Sequence, residues 1–541
     1  MHKATIQGPG SFAATARRRA GAPLLMALLL STSPAWAQAD RVIIALDPPL
    51  AETNLFWGGM GERLPAMQAL IGNDPVTGEF DNSELASSWE ANEDFSEWTI
   101  RLHEDAEFQF GWGPVTAADV IHSYELTTAP DSTVVGVDRL RGAEVVALDD
   151  HTVVFRYPDP RTDFLFLNAG RGALVIYSKG QYDAEGMDGY ARRPAGTAPY
   201  QLVERRVGEG VLLERAPDQW QGIVPDFVEL ELRWVAEPAT KLALLLSGEA
   251  SISAVPREIQ ADAVAQGEKV ISSGVPAMQT AFLFNGLYML SDDPAYRSDL
   301  PWADIRVRQA INHAIDRQAM IDVLYDGRAE VLPRFGMDPR HEGYAPELAE
   351  RFEEMYGYDP ERAKELLAEA GYPDAFPDPV IPIVSAPLTG NPEFPAMAEL
   401  LQTFLYDVGL QTELREMDYA MLQVMGRARE AYVLSPIRNA PIRPTESALL
   451  NFYSLDGTVF GGYEDDTIER LSNELARTID PDERDRLARE AFTHLFEQYS
   501  EIPIASVYAD VTVDPTIVED WTFPGVTTNG LSHWHLIKAK E

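Results

Sequence analysis

Arg427, Arg429, Arg438 and Arg443 fall within 17 consecutive positions of a 541-residue chain that carries 85 Asp and Glu against 44 Lys and Arg, a net charge of −41. A guanidinium is a rigid, planar fork of donors suited to bidentate recognition of carboxylate or phosphate. Four of them together in so acidic a chain point to an anionic group presented to Arg438 or Arg443, with Asn439 between them. The structural alternative is that they pair with the abundant surface acids. Aromatic and amide side chains near turns are the other candidates for holding a small molecule. Trp57 sits among glycines in Leu55-Phe-Trp-Gly-Gly-Met60-Gly61, Asn285 and Tyr288 close an apolar run, and Tyr453 follows the arginines. For each aromatic, ordinary core packing is the competing explanation.

Covalent and metal chemistry has little to work with. There is no Cys, which removes disulfides, thiolate metal sites and a cysteine nucleophile. Beyond residue 37 no GxSxG elbow, HExxH pair or GxxxxGK[ST] phosphate loop occurs. His533 and His535 form an H-x-H pair that on a strand would face one way and hold a metal, or would simply be packed or surface histidines. Asp149-Asp150 and Asp465-Asp466 stand at turns, where Asp serves backbone geometry. No cofactor and no metal are expected. The net charge repels phosphate backbones, so no nucleic-acid partner is expected.

These side chains must be positioned by a fold of ordinary globular composition, 45% hydrophobic and 24% charged. Residues 1–37 stand apart. Arg17 to Arg19, the apolar run Ala20 to Leu30 and Ala35-Trp36-Ala37 have the form of a signal peptide cleaved after Ala37. That predicts a periplasmic protein of net charge −45, since Lys3 and three Arg leave with the segment. Strands are predicted over 41–46, 97–102, 144–148, 151–157, 200–204, 211–215, 227–235, 281–285, 410–416 and 502–513. Helices are predicted over 117–125, 238–247, 304–319, 360–370, 397–408, 466–478 and 481–499. Asp359, Pro360 and Gly371 supply the N-cap, first turn and stop of one of these. The alternation indicates an α/β architecture with more than one lobe.

Four segments carry a resemblance to a known family. They are Leu85-Ala-Ser-Ser-Trp89-Glu90 running on to Pro114-Val-Thr-Ala-Ala-Asp-Val-Ile-His-Ser-Tyr124; Thr197-Ala-Pro-Tyr200-Gln-Leu-Val203 with Leu213-Glu-Arg215 and Trp220; Asp304-Ile-Arg-Val-Arg308-Gln-Ala-Ile-Asn312-His-Ala-Ile-Asp316-Arg317; and Tyr358-Asp-Pro360 through Ala370-Gly371-Tyr372-Pro373. In this order they resemble the extracytoplasmic solute-binding proteins of ABC transporters, in the peptide/opine/nickel-binding family. The resemblance implies a two-lobed periplasmic-binding-protein-like fold with an extra subdomain in lobe one. Mapped onto this chain, lobe one is 38–279 with a C-terminal return over 509–541, lobe two is 287–503, and the crossing strands are 280–286 and 504–508. It implies capture of a small polar solute or peptide between lobes, delivery to an ABC permease in the inner membrane, and no enzyme activity. A monomer is expected, because closure needs no second copy.

The chain departs from the family in one place. Where peptide binders of the family carry an Asp that holds the peptide's amino terminus, this chain reads Ser435-Pro-Ile-Arg438-Asn439-Ala-Pro-Ile-Arg443-Pro444-Thr-Glu446. The Asp is absent and two arginines stand in what reads as a loop. The ligand-binding set expected is therefore Trp57, Asn285, Tyr288, Arg438, Asn439, Arg443 and Tyr453, for an oligopeptide or a peptide-like, opine-like or other anionic solute. Arginines lining the rim between the lobes are the alternative. A different function, an exported acidic hydrolase, would need two carboxylates flanking the cleft.

Overall fold

In the computed structural model, β-branched runs pair into one long central sheet. The structure describes residues 40–48, 65–132, 134, 137–169, 174–290, 293–386, 388, 391–441, 443–454, 460–525 and 531–541. Trp57 and the expected signal peptide lie outside the described residues. The sheet strands are β1 (Arg41–Leu46), β2 (Tyr200–Arg206), β3 (Gly210–Arg215), β4 (Glu229–Trp234), β5 (Ile252–Ser253), β6 (Lys269–Phe284), β7 (Ala329–Val331), β8 (Ile381–Ser385), β9 (Thr412–Glu416), β10 (Leu434–Asn439) and β11 (Glu501–Val513). Their spatial order is β2-β3-β4-β1-β5-β11-β6-β10-β8-β9, with β7 paired to β11.

The two long strands in the middle serve both halves of this sheet. β11 pairs through Thr512 and Val513 with β5 of the first half. β6 pairs through Gln279 to Phe284 with β10 of the second. The β6–β11 ladder loses register three times, from Ser272 to Pro276, from Pro276 to Met278 and from Thr280 to Ala281. Pro276 has no N–H to give the ladder, and Gly in a strand marks a bulge or a close backbone approach. Gly274 is such an approach: a Cβ there would stand 2.7 Å from the Val76 carbonyl oxygen.

The apolar interior follows the same division. One cluster runs from Met278 to Val507 and fills the second half. Another joins β1 to β4 with Val511, Trp521 and Trp534, so the C-terminal residues return to the first half. A third, from Leu70 to Ala195, lies under a separate four-stranded sheet of Ala86–Ala91, Glu97–Leu102, Thr152–Arg156 and Glu144–Asp149. In that sheet Trp98, Ile100 and Leu102 are buried, as their alternation requires.

Local signals set several helices. Asp359 caps Pro360–Ala370 by accepting from the Arg362 amide, and Gly371 ends it at φ 77°. The expected helix over 304–319 is instead two, Ile305–His313 and Arg317–Tyr325. Asp316 accepts from the Ala319 amide at 2.9 Å and so begins a new helix. Arg317, buried beside it, donates to the carbonyls of Pro503, Asn312 and Tyr356. The apolar stripe continues through the break, which is why its period reads as one element. The stretch Ser435–Glu446 is a second correction: it reads as a loop but is mostly regular. Arg438 and Asn439 end β10, and Thr445 opens the helix Thr445–Tyr453. Three prolines obscure this, yet β10 lies between β6 and β8, where neighbours on both sides hold it extended.

Candidate ligand-binding site between the two halves

On β10, Arg438 and Asn439 face opposite sides of the sheet. Arg438 is half-buried, and its Nη1 donates to Asn391 Oδ1 at 2.6 Å. Burial pushes the Arg438 guanidinium below its ordinary pKa, with the Tyr419 hydroxyl opposing that shift. Asn391 is itself buried and donates to Met278 Sδ at 2.7 Å. Asn439 is buried on the other side. Its Oδ1 accepts from Arg443 Nε at 3.0 Å, and its Nδ2 reaches Gln279 Oε1 at 3.4 Å. Gln279 is in turn fixed by the Gly336 amide and the Met337 carbonyl.

Arg443 stands at the seam. Its guanidinium lies 5.5 Å from the ring centroid of Phe166, a residue of the first half. Other contacts cross the same seam. Thr162 Oγ1 donates to Glu446 Oε2, Arg340 Nη1 donates to the Thr77 carbonyl at 3.1 Å, and Ala440 packs against Phe80 and Phe166. The seam therefore joins guanidinium groups, two aromatic rings, amide side chains and the Glu446 carboxylate, which is paired with Arg484. That composition suits an anionic ligand with apolar surface.

The remaining expected residues occupy the interior of the second half. Asn285 is fully buried; its Nδ2 donates to the carbonyls of Phe460 and Gly461, and its Oδ1 accepts from Ser435 Oγ at 2.5 Å. Its amide is thus committed to holding the 460–461 backbone. Tyr288 is fully buried beneath Arg429, whose guanidinium is 4.1 Å from the ring centroid. Arg429 is paired with Glu464 and Asp293, so this arginine follows the acid-pairing alternative. Burial would lower its pKa, but the two carboxylates outweigh that and hold it above the ordinary value. Tyr453 is buried too, accepting from Arg334 Nη1 at 3.2 Å and donating to Glu501 Oε2 at 3.1 Å. Arg427 is exposed at the end of the helix Tyr419–Arg427. These aromatic residues read as loop contacts because they follow strands or arginines; their rings are core.

Sequence reasoning passed over Phe80, Phe166, Asn391, Tyr419 and Glu446. Phe166 sits in Phe164-Leu-Phe-Leu, which reads as core, and only the meeting of distant segments brings it to Arg443. Asn391 precedes Pro392 in a turn-like Gly-Asn-Pro, the one local hint available. His533 and His535 are not on a strand. His533 precedes and His535 lies within a short 3-10 turn at Trp534–Leu536, with His533 Nε2 2.9 Å from the Asn73 carbonyl oxygen. Among the described residues no group of three or more metal-ligating side chains assembles, and no helix is long and apolar enough to cross a membrane.

Residues 82–456 match the family described as bacterial extracellular solute-binding proteins, family 5 Middle. The chain is 25% identical over 468 residues to Heme-binding protein A of Haemophilus influenzae, covering 80% of each. It is 25% identical over 448 residues to Glutathione-binding protein GsiB of Salmonella typhi, covering 78% of this chain and 79% of that one. In fold it is similar to the structure of HbpA2 from Haemophilus parasuis, with a TM-score of 0.72, 20% identity, and coverage of 93% of this chain and 100% of the other. The two halves are thus the two lobes of a periplasmic-binding-protein fold, and the hydrolase alternative finds no relative among these proteins. The chain belongs to the bacterial extracellular solute-binding proteins of family 5, the substrate-binding components of ABC transporters.

Proposed function

We propose that the protein is released from its signal peptide after Ala37, works as a periplasmic monomer without catalysing a reaction, and captures a solute bearing a carboxylate or phosphate between its lobes for delivery to its permease. The observation that carries the reading is the seam itself: Arg443 over Phe166, bonded to Asn439 of β10, with Arg438 on the opposite face of that strand. A bound anion would take the Arg443 guanidinium from the second lobe and the rings of Phe80 and Phe166 from the first. Contacts made only in the closed form convert binding energy into closure. The register breaks around Pro276 support a hinge near 272–278 of β6 and 507–510 of β11, and a further break at Thr280/Ala281 falls within the expected crossing segment 280–286. The names of the two relatives support an anionic class, since heme and glutathione both carry carboxylates. An ordinary peptide fits less well, because no Asp stands where the family holds an amino terminus.

Thermal unfolding against a ligand panel tests this. Solutes bearing carboxylates or phosphate are expected to raise the midpoint, by about 2.7 kcal/mol of added stability at about 100 times the dissociation constant. A shift with neutral oligosaccharides or with peptides amidated at the carboxyl end, and none with carboxylate or phosphate solutes, would overturn the anionic reading.

A further inference from the structure

Away from the seam, beside the register breaks of the long strands, a second set of charges joins the lobes. Arg257 opens the helix Arg257–Ala265 of the first lobe. Its Nη1 reaches Glu393 Oε1 of the second lobe at 2.8 Å, its Nε reaches Asp510 Oδ2 at 3.1 Å, and its Nη2 donates to the Tyr508 carbonyl at 2.6 Å. The same guanidinium lies 5.5 Å from the ring of Tyr325, also of the second lobe. Arg328, from the second lobe, reaches back: its Nη1 is 3.3 Å from Asp510 Oδ2, and its Nη2 donates to Gln260 Oε1 of the first lobe. Glu393 is buried and Arg257 and Asp510 are largely so, with side-chain exposures of 9%, 11% and 7%.

We propose that Arg257 and Arg328 form a reciprocal charge clamp beside the hinge that sets the balance between open and closed lobes, apart from any contact with ligand; the inference rests on the hinge reading above. Each arginine is rooted in one lobe and bonded to an acceptor attached to the other. Tyr508 and Asp510 lie on β11 opposite Pro276 and Ser272, at the register breaks themselves. Rotation there separates Arg257 from Glu393 and Tyr325, and Arg328 from Gln260. Charge-assisted hydrogen bonds at buried sites are the strong ones. The clamp is nonetheless poised rather than locked. Glu393 Oε2 is buried with no hydrogen-bond partner among the described residues. Burial, only partly offset by Arg257, holds the Glu393 carboxyl above its usual pKa range. The clamp also adjoins Arg438, since Asn391, which accepts from it, is two residues from Glu393.

The absence of Cys allows a clean distance measurement. Val207→Cys in the first lobe and Tyr406→Cys in the second, exposed at 67% and 75%, take spin labels. Pulsed dipolar spectroscopy then reads the lobe separation of the protein, without added solute, in the parent and in Arg257→Gln, Arg328→Gln and Glu393→Gln. The expected result is a larger long-distance population in each variant, with the open-to-closed ratio raised about tenfold. Arg328 is partly exposed, so its variant keeps the test valid should the Arg257 variant fold poorly. If the parent shows two separations and the folded variants match it, the clamp is overturned and the hinge stands. If the parent and every variant show one identical narrow distance, the hinge reading falls and takes the clamp with it.

Discussion

The Arg443 guanidinium lies across the lobe boundary from Phe166, 5.5 Å from the ring centroid, so a residue of one lobe is held by the π-face of the other. An exposed cation–π pair contributes about 0.5–1 kcal/mol and a desolvated one about 2 kcal/mol. Phe166→Ala should therefore weaken capture of a carboxylate solute about 3- to 30-fold while leaving the unfolding midpoint nearly unchanged. Isothermal titration measures it; unaltered affinity would remove Phe166 from the site.

The Arg334–Glu501 pair is buried in the second lobe, with side-chain exposures of 0% and 2%, and Tyr453 bonds to both. Removing one partner leaves an uncompensated buried charge, which costs about 3–5 kcal/mol. Glu501→Leu should lose that much stability in chemical denaturation. Arg334→Met combined with Glu501→Leu should recover a large part of it. A double variant as unstable as the sum of the two single variants would contradict this account of the pair.

Asp465 caps the helix Asp466–Leu475, accepting from the Thr467 and Ile468 amides at 3.0 and 2.9 Å. His494 Nε2 lies 2.7 Å away and the Tyr463 hydroxyl donates at 2.6 Å. Burial alone would raise the carboxyl's pKa; hydrogen bonds from His494, Tyr463 and the Ile468 amide outweigh it and hold the group below its ordinary value of 3.8. A depressed folded pKa contributes stability that is present above the unfolded value and lost as the pH falls through the folded one. Asp465→Asn should flatten the fall in unfolding midpoint below about pH 4. Asn caps a helix about as well as Asp, so the loss at neutral pH is confined to the weakened hydrogen bonds from His494 and Tyr463, about 0.5–1.5 kcal/mol. An unchanged acid limb would count against this assignment.

Gly274 places β6 against the Val76 carbonyl oxygen, with only 2.7 Å of room for a Cβ. The obstacle is backbone and cannot rotate away. Gly274→Val should cost about 1–3 kcal/mol in denaturant melts. A neutral effect would mean that the loop carrying Val76 yields freely.

Elements with self-contained signals were legible from the chain alone. The cap, proline and glycine around 359–371 and the alternation of Trp98, Ile100 and Leu102 each determine local structure without distant help. The limits of β6 were not, because Gly274 and Pro276 break the strand pattern that β11 enforces from some 230 residues away. The arginine segment was legible as an anomaly of charge but not as a strand, since the pairing that extends it comes from β6 and β8. Asn285, Tyr288 and Tyr453 carry side chains a binding site would use. Their commitment to Phe460, Arg429 and Glu501 depends on contacts distant in sequence.

Titration of the mature protein and its Arg443→Glu variant with the same carboxylate or phosphate solute is the most direct test of an anion held between the lobes. The account predicts saturable one-to-one binding to the mature protein, no detectable binding to the variant, and unfolding midpoints for the two unliganded proteins within a few degrees. A folded variant that binds the same solute with unchanged affinity would contradict it.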